Sequence, residues 1–209
     1  MKRLSINPLL PEPEVIKETV ECLRNGGLVI VPTDTVYGIV ASLFNPHAIE
    51  RIYEVKSRDA DKPLPVFVGN LSQVEELSGN IPENVKQLCK EYWPGPLTVV
   101  LSCTRKDLDR VTRCTGKIGV RWPSLPLIDT LLQKLGTPLA STSANLSMEP
   151  ACKSLDCLQP SFLDKMDIVL DAGNLGSGVP STVVDITQTK FKILRQGEIT
   201  ELQINRFNK

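Results

Sequence analysis

Apolar residues recur along this chain at two spacings, which predict helices and strands in turn. Over residues 12–25 the apolar positions repeat as on one face of a helix, and Gly26-Gly27 follows as a helix-closing signal. Asn45-Pro46 places a capping residue before a first-turn proline, so we expect a second helix that carries Lys56 at its end. Helical patterns also occur over residues 72–77, 82–92 and 126–135.

Short apolar runs between these helices predict strands. They cover residues 29–31, 65–68, 97–101, 118–122, 138–141, 167–170, 182–186 and 191–195. Helices and strands alternate in the first part of the chain, whereas strands cluster in the last part. This order predicts an α/β fold in which helices pack on a twisted sheet of mixed parallel and antiparallel strands.

The strand at residues 29–31 leads into a loop that is crowded with hydroxyl groups and one carboxylate. Its three β-branched residues are typical of a strand covered on both faces, and Pro32 cannot donate a ladder hydrogen bond, so pairing should end there. Ligands bind at strand ends in open α/β sheets, which makes the loop a candidate site. A tight turn with satisfied hydroxyls explains it equally well. The candidate residues are Thr33, Asp34, Thr35 and Tyr37.

Charge and length exclude some classes of protein. The chain has 209 residues, with 24 lysines and arginines against 24 aspartates and glutamates. This balance gives no global field that would favour nucleic acid or a membrane as a bulk partner. No apolar run is long enough for a signal peptide or a bilayer span, so we expect a single cytoplasmic globular domain without membrane attachment.

The metal-ligating residue types are few and poorly spaced. Six cysteines include no C-x-x-C pair, and His47 is the only histidine. We therefore assign no metal ligand in the chain and interpret the cysteines as reduced, mostly structural thiols.

Cations cluster after the second predicted helix. Lys56, Arg58 and Lys62 place three positive charges within seven residues. Cations near a helix C-terminus are favoured by the helix dipole, so a purely structural role is one interpretation. A binding site for an anion is the other.

Two arginines favour an anion site. Alternation along the predicted strand 191–195 places Arg195 on the same apolar face as Ile193, where an unpaired charge would be very costly. Arg121 shares its face with Gly119, which leaves room for the carboxylate or phosphate of a ligand. Both positions therefore predict contact with an anion.

Two further segments offer small polar groups. Ser141, Ser143 and Asn145 lie on one side of an extended segment. A serine nucleophile is an alternative, but His47 is the only possible histidine base and no G-x-S-x-G elbow is present, so hydrogen bonding to a polar ligand is favoured. The glycine-rich loop over residues 171–182 can bring backbone N–H groups close to phosphate, but it lacks the Walker A ending and is equally explained as a flexible connection.

Seven ordered blocks of these residues together resemble the YrdC-like family over residues 13–199. The blocks cover residues 32–38, 56–64, 94–98, 119–121, 141–145, 180–185 and 194–197. The resemblance implies a YrdC-like fold and the synthesis of threonylcarbamoyl-AMP from L-threonine, bicarbonate and ATP, for a modification of tRNA. The chain ends soon after the predicted strand 191–195, so it resembles the short form of the family, with residues 1–209 as one domain.

The resemblance also implies roles for individual residues. The family's lysine-x-arginine and serine-x-asparagine signature maps onto Lys56, Arg58, Ser143 and Asn145. The catalytic residues would be Lys56 and Arg58; the triphosphate, with Mg²⁺, would be held by Lys56, Arg58, Lys62 and Arg195; the nucleotide side would be formed by Lys117, Ser143 and Asn145; and L-threonine would be bound by Thr35, Arg121, Ser141 and Ser181.

Other readings of the sequence stay open. Phe67 stands where some relatives have a polar side chain near threonine, which leaves part of the amino-acid pocket undefined. The implied partners are ATP, L-threonine, bicarbonate and the machinery that transfers the threonylcarbamoyl group to tRNA, with direct RNA contact as a further possibility. The alternative functions are a non-catalytic module that binds double-stranded RNA or tRNA, and carbamoyl transfer to another acceptor.

Overall fold

Ten strands form one sheet in the part of the chain that the computed structural model describes, which is residues 1–146, 149–175, 177–188 and 190–208. The strands are β1 (Lys2–Ser5), β2 (Val29–Val31), β3 (Gly38–Ser42), β4 (Val66–Phe67), β5 (Leu97–Ser102), β6 (Lys117–Arg121), β7 (Leu139–Ser143), β8 (Ile168–Asp171), β9 (Thr182–Asp185) and β10 (Lys192–Arg195). The α-helices are α1 (Pro13–Arg24), α2 (Pro46–Lys56), α3 (Leu71–Ser78), α4 (Glu83–Tyr92), α5 (Asp109–Thr112), α6 (Pro126–Leu135), α7 (Pro160–Leu163) and α8 (Glu201–Asn205).

The sheet mixes strand directions, as the sequence predicts. Its order is β1-β8-β2-β3-β7-β4-β6-β5-β9-β10. The pairs β1–β8, β2–β8, β4–β6 and β5–β9 are parallel, and the other five neighbouring pairs are antiparallel. The predicted mixed α/β fold with flanking helices is therefore confirmed.

Helices cover both faces of the sheet. One core packs residues of α2, α3 and α4 against the sheet, and a second core packs residues of α1 and α6 against the other face. Along β2, Ile30 belongs to the first core, whereas Val29 and Val31 belong to the second. All three side chains are fully buried, so the expectation of a strand covered on both faces is confirmed.

Pattern analysis missed two strands and three short helices: β1, β3, α5, α7 and α8. The edge strand β1 has a largely exposed, polar sequence, so no apolar alternation predicts it. β3 follows directly on the hydroxyl-rich loop, and β7 continues through two more hydroxyl residues than expected because Ser143 pairs with Gly38 across the β3–β7 ladder. The short α8 does carry a sequence signal, since Thr200 and Gln203 form a capping box.

The expected orientation of Arg195 is wrong, although its strand is confirmed. The ladder between β9 and β10 shifts register, so that Ile193 pairs with Val184 while Arg195 pairs with Val183. Consecutive residues of β9 point to opposite faces, so this bulge places Arg195 on the face opposite Ile193. Simple alternation fails here because it assumes a regular ladder.

Two further findings bear on the sequence interpretation. Cys152 and Cys157 are joined by a disulfide, so the interpretation of all six cysteines as reduced is wrong for this pair. No helix of the described residues is long and apolar enough to cross a bilayer.

Candidate functional site

The candidate site is a cleft on the face of the sheet that carries the second core. Residues that pair across neighbouring strands point to the same face of the sheet. Arg121 pairs with Phe67 and Ser141 pairs with Val40, and both Phe67 and Val40 belong to the second core. The cleft encloses a cavity of about 140 Å³. Its lining residues are Thr33, Thr35, Val36, Tyr37, Gly38, Arg58, Pro65, Phe67, Thr98, Arg121, Ser141, Thr142, Ser143, Pro180, Ser181 and Arg195.

Arg121 is the most buried cation of the cleft, with 5% of its surface exposed. Its Nη2 donates to a carboxylate oxygen of Asp34 at 2.6 Å, and its Nη1 donates to the Thr35 hydroxyl at 2.9 Å. Its Nε donates to the carbonyl oxygen of Gly95 at 3.1 Å. A guanidinium has five N–H donors, so these three contacts leave one N–H on each terminal nitrogen by count.

Arg195 reaches the cleft from β10, the strand at one edge of the sheet. Its Nε and Nη2 donate to the carbonyl and hydroxyl oxygens of Ser181, each at 3.0 Å. The same hydroxyl lies 2.8 Å from that of Thr98. These partners are neutral, whereas the sequence argument requires an anion. Burial lowers the pKa of Arg195, and the nearby Arg121 lowers it further, so a ligand's negative charge would be favourable here.

In the loop between β2 and β3, some side chains form hydrogen bonds that hold the backbone, and others face the cavity. The Thr33 hydroxyl accepts from the backbone N–H groups of Thr35 and Val36, which makes the tight turn weighed in the sequence analysis. The hydroxyl of Tyr37 donates to the Gly173 carbonyl at 2.9 Å, so this side chain holds the glycine-rich loop in place. Among the four loop candidates, Thr35 therefore offers the side chain best placed for a ligand.

Among the described residues of the glycine-rich loop, Pro180 and Ser181 line the cavity. Gly176 lies outside the described residues. A cradle of backbone N–H groups around phosphate therefore stays a prediction.

Lys56 does not present its charge to the cleft. Its ammonium donates to the carbonyl oxygens of Ser143 and Asn145 at 2.5 and 2.6 Å, and to the side-chain oxygen of Asn145 at 2.9 Å. Burial, together with the nearby Arg58, lowers the pKa of Lys56 to about 7. Lys56 therefore fixes the end of β7, and a direct contact with triphosphate would require these bonds to rearrange.

Ser143 and Asn145 complete this polar cluster. The Ser143 hydroxyl donates to the Asn145 side-chain oxygen at 2.5 Å, and the Asn145 amide donates to the Glu149 carbonyl at 2.5 Å. Ser143 lines the cavity, whereas Asn145 lies behind it. Three of the four signature residues, Lys56, Ser143 and Asn145, thus form one hydrogen-bonded cluster at the end of β7.

The remaining predicted cations differ in position. Arg58 lines the cavity, where its Nε and Nη2 donate to the carbonyls of Lys62 and Pro63 at 3.2 and 2.9 Å. Lys62 is exposed, and its nearest acidic partner is Asp59, at 3.8 Å.

Lys117 is not brought to the cleft. It lies at the far end of β6 from Arg121, about 13 Å away at the usual rise per residue. Its ammonium donates to Asp185 at 2.8 Å. Lys117 does not line the cavity, and its place on the nucleotide side of the site stays a prediction.

Seven of the eleven predicted site residues line one cavity: Thr35, Arg58, Arg121, Ser141, Ser143, Ser181 and Arg195. Sequence reasoning missed Thr98 as a site residue, although it belongs to one of the seven blocks. It also left Phe67 unassigned, and the structure places this ring in the cavity wall, 6.0 Å from the Arg121 guanidinium carbon. Alternation from β5 could have found Thr98, since both flanking residues, Leu97 and Val99, are core residues.

The donors needed for a protein-bound metal are scarce. Among the described residues, no group of three or more histidine, cysteine, aspartate or glutamate side chains is placed to hold a metal ion. The Asp34 carboxylate is already engaged by Arg121, at 2.6 Å.

Comparisons with known proteins agree with this geometry. Residues 21–197 match the Sua5/YciO/YrdC family model, which is described as "Telomere recombination". Threonylcarbamoyl-AMP synthase of Bacillus subtilis (strain 168) is 38% identical over 190 residues, which cover 90% of this chain and 55% of that protein. The crystal structure of Pyrococcus abyssi Sua5 complexed with L-threonine is similar at a TM-score of 0.93 and 32% identity, covering 99% of this chain and 61% of that chain.

A second solved structure covers nearly the whole of both chains. Escherichia coli YciO has a TM-score of 0.83 at 28% identity, over 95% of this chain and 97% of that chain. By contrast, this chain spans about half the length of the curated synthases from Bacillus subtilis and Pyrococcus abyssi, at 55% and 52%. With the family model matched over most of its length, the chain belongs to the Sua5/YciO/YrdC family, which confirms the resemblance carried by the seven sequence blocks.

Proposed function

We propose that this protein makes threonylcarbamoyl-AMP from L-threonine, bicarbonate and ATP, with release of pyrophosphate. The observation that carries the proposal is the convergence of Arg58, Arg121 and Arg195 with hydroxyl groups on one small cavity. Such a cavity suits small anionic substrates better than an extended polyanion, which would need cations spread over a wide face. The name of the Bacillus subtilis relative supports the same reaction.

The reaction needs no nucleophile from the protein. The amine of threonine combines with bicarbonate to give a carbamate and water. A carbamate oxygen then attacks the α-phosphorus of ATP, and the bond to the β-phosphate oxygen breaks to release pyrophosphate. Positioning and charge neutralisation are therefore the main tasks of the site, which agrees with a cleft of guanidiniums and hydroxyls.

Arg121 is proposed to hold the carboxylate of threonine. Its contacts with Asp34, Thr35 and Gly95 fix the plane of the guanidinium and leave one N–H on each terminal nitrogen by count. These two N–H donors are proposed to bind the two oxygens of the carboxylate. Thr35, Ser141 and Ser181 line the same cavity and are proposed to bind the amine and hydroxyl of the amino acid.

Arg58 and Arg195 are proposed to face the triphosphate. Within the described residues each donates only to carbonyl or hydroxyl oxygens, so neither positive charge is neutralised by a carboxylate. The exposed Lys62 can add a third cation. Lys56, Ser143 and Asn145 shape the adjoining strand end and are proposed to position the nucleotide rather than to bind phosphate directly.

Magnesium is proposed to enter with the nucleotide. The described residues form no cluster of metal ligands, so the chain by itself does not fit a resident metal ion. Triphosphate oxygens and water supply the oxygen ligands that Mg²⁺ prefers. The further steps, in the cytoplasm, would be transfer of the threonylcarbamoyl group to tRNA by a separate machinery.

Pyrophosphate release tests the proposal. Purified protein is incubated with ATP, Mg²⁺ and bicarbonate, together with L-threonine, L-serine, L-valine or no amino acid, and the adenylate product is identified by mass spectrometry. We expect release that depends on threonine and bicarbonate and that falls strongly in Arg58→Ala. Folded protein that releases no pyrophosphate with any amino acid would contradict the proposal.

A further inference from the structure

Arg58 and Tyr53 both donate a hydrogen bond to the same backbone carbonyl oxygen. The Lys62 carbonyl accepts from Arg58 Nε at 3.2 Å and from the hydroxyl of Tyr53 at 2.9 Å. Tyr53 lies on α2, does not line the cavity, and is 6% exposed. Burial raises the pKa of Tyr53, so the phenol stays protonated and acts as the donor at neutral pH.

The Tyr53 ring is itself held by a neighbouring arginine. The guanidinium carbon of Arg113 lies 3.6 Å from the ring centroid, a close cation–π contact. Arg113 in turn donates two hydrogen bonds to Glu50, at 3.1 and 3.0 Å. Glu50 and Tyr53 are three residues apart on α2, so the helix, Arg113 and the ring form one rigid unit.

The segment that carries Arg58 needs such support. It leaves α2 through Ser57, whose backbone is left-handed with φ 47°, and its residues 59–62 are exposed. A long side chain in an exposed segment loses conformational freedom when it is fixed, which costs free energy. Fixing the Lys62 carbonyl in advance removes part of that cost for Arg58.

We propose that Tyr53 is a positioning residue for Arg58, acting through the Lys62 carbonyl oxygen. The inference rests on the proposed function for its kinetic consequence, because Arg58 is there assigned to the triphosphate. Tyr53 touches no substrate. Its hydroxyl instead fixes the backbone that aims the guanidinium at the cleft.

Tyr53→Phe removes the hydroxyl and keeps the ring that Arg113 covers, so the variant should fold. We expect kcat/KM for ATP to fall about tenfold, which corresponds to about 1.4 kcal/mol, while KM for threonine changes less than twofold. Tyr92→Phe is the matched control, because the Tyr92 ring packs edge-on against Phe207 and does not line the cavity. The control should keep wild-type kinetics.

A double-mutant cycle separates positioning from a general structural role. In an Arg58→Ala background, Tyr53→Phe should have no further effect on kcat/KM for ATP, since the group it positions is gone. The inference would be overturned if the effects of the two substitutions on kcat/KM for ATP multiplied in the double variant. It would also be overturned if Tyr53→Phe weakened the use of ATP and of threonine equally.

A measurement independent of activity keeps the two proposals distinguishable. The arginine Nε–H signal of Arg58 in a ¹⁵N NMR spectrum should exchange slowly with water in the wild type and faster in Tyr53→Phe. An unchanged exchange rate would overturn the role of Tyr53. If exchange is faster in Tyr53→Phe but the wild-type protein makes no threonylcarbamoyl-AMP, only the proposed function is contradicted.

Discussion

Replacing Lys56 with methionine should change how the stability of the protein depends on pH. Lys56 is 2% exposed, and burial lowers its pKa from 10.5 to about 7. Methionine has a similar length and no charge, so it removes the titrating group and keeps most of the packing. In the unfolded chain the amine should titrate near its ordinary value.

The direction in which stability changes with pH follows from how many protons Lys56 binds in the folded and unfolded states. Between the folded pKa near 7 and the unfolded pKa near 10.5, the unfolded chain binds more protons at this site, so stability rises with pH. Each unit of pKa difference corresponds to 1.36 kcal/mol. Because the folded group is half-protonated near pH 7, the expected gain from pH 7 to pH 9 is about 2 kcal/mol, from the same linkage relation. Below pH 6 this contribution should be nearly constant.

Urea unfolding at pH 6, 7, 8 and 9 measures this contribution as the difference between wild type and Lys56→Met. The other titrating groups are common to both proteins and largely cancel, and the exposed Lys165→Met serves as the control. Curves for wild type and Lys56→Met that run parallel from pH 7 to pH 9 would refute the reasoning. They would mean that the three oxygens around the ammonium offset the cost of burial, since only the charged form has three N–H donors.

Two further predictions concern the cleft. Arg121→Lys keeps a cation beside Asp34 but loses the planar fork, so calorimetry should show at least tenfold weaker threonine binding with ATP binding nearly unchanged; an equal loss of both ligands would contradict the assignment of Arg121. Gly197→Ala would place a Cβ 2.3 Å from the Pro180 carbonyl oxygen and 2.5 Å from the Thr182 nitrogen, so urea unfolding should show a loss of about 1 to 3 kcal/mol, whereas Gly69→Ala, whose nearest contact would be 3.7 Å, should show little change.

Local patterns in the sequence predict most elements because each pattern is decided within a few residues. Helix α2 begins at Pro46 because the Asn45 side chain accepts from two backbone N–H groups of the first turn, a signal that is readable in the sequence. Strand pairing is different. The contact of Gly38 with Ser143 joins residues far apart in the chain, so neither the length of β7 nor its place beside β3 follows from a local pattern.

The site residues show the same division. Their identities follow from the seven blocks, but the functions of individual cations depend on where each side chain points. The sequence shows Lys56 at the end of a helix, but not that its ammonium turns towards oxygens of Ser143 and Asn145. It also shows Arg195 in a strand, but not the register shift that moves it to the face of the cleft.

The distribution of charge in the cleft gives a physical reason for binding the two proposed substrates at different cations. Arg121 is paired with Asp34 at 2.6 Å, so a threonine carboxylate would join an ion pair and gain less from charge than from the geometry of two hydrogen bonds. Arg58 and Arg195 donate only to neutral oxygens among the described residues and keep their full positive charge for a polyanion. A triphosphate would therefore gain far more from Arg58 and Arg195 than from Arg121. The Asp34 carboxylate beside Arg121 would thus favour the proposed amino acid there, and the proposed nucleotide beside Arg58 and Arg195.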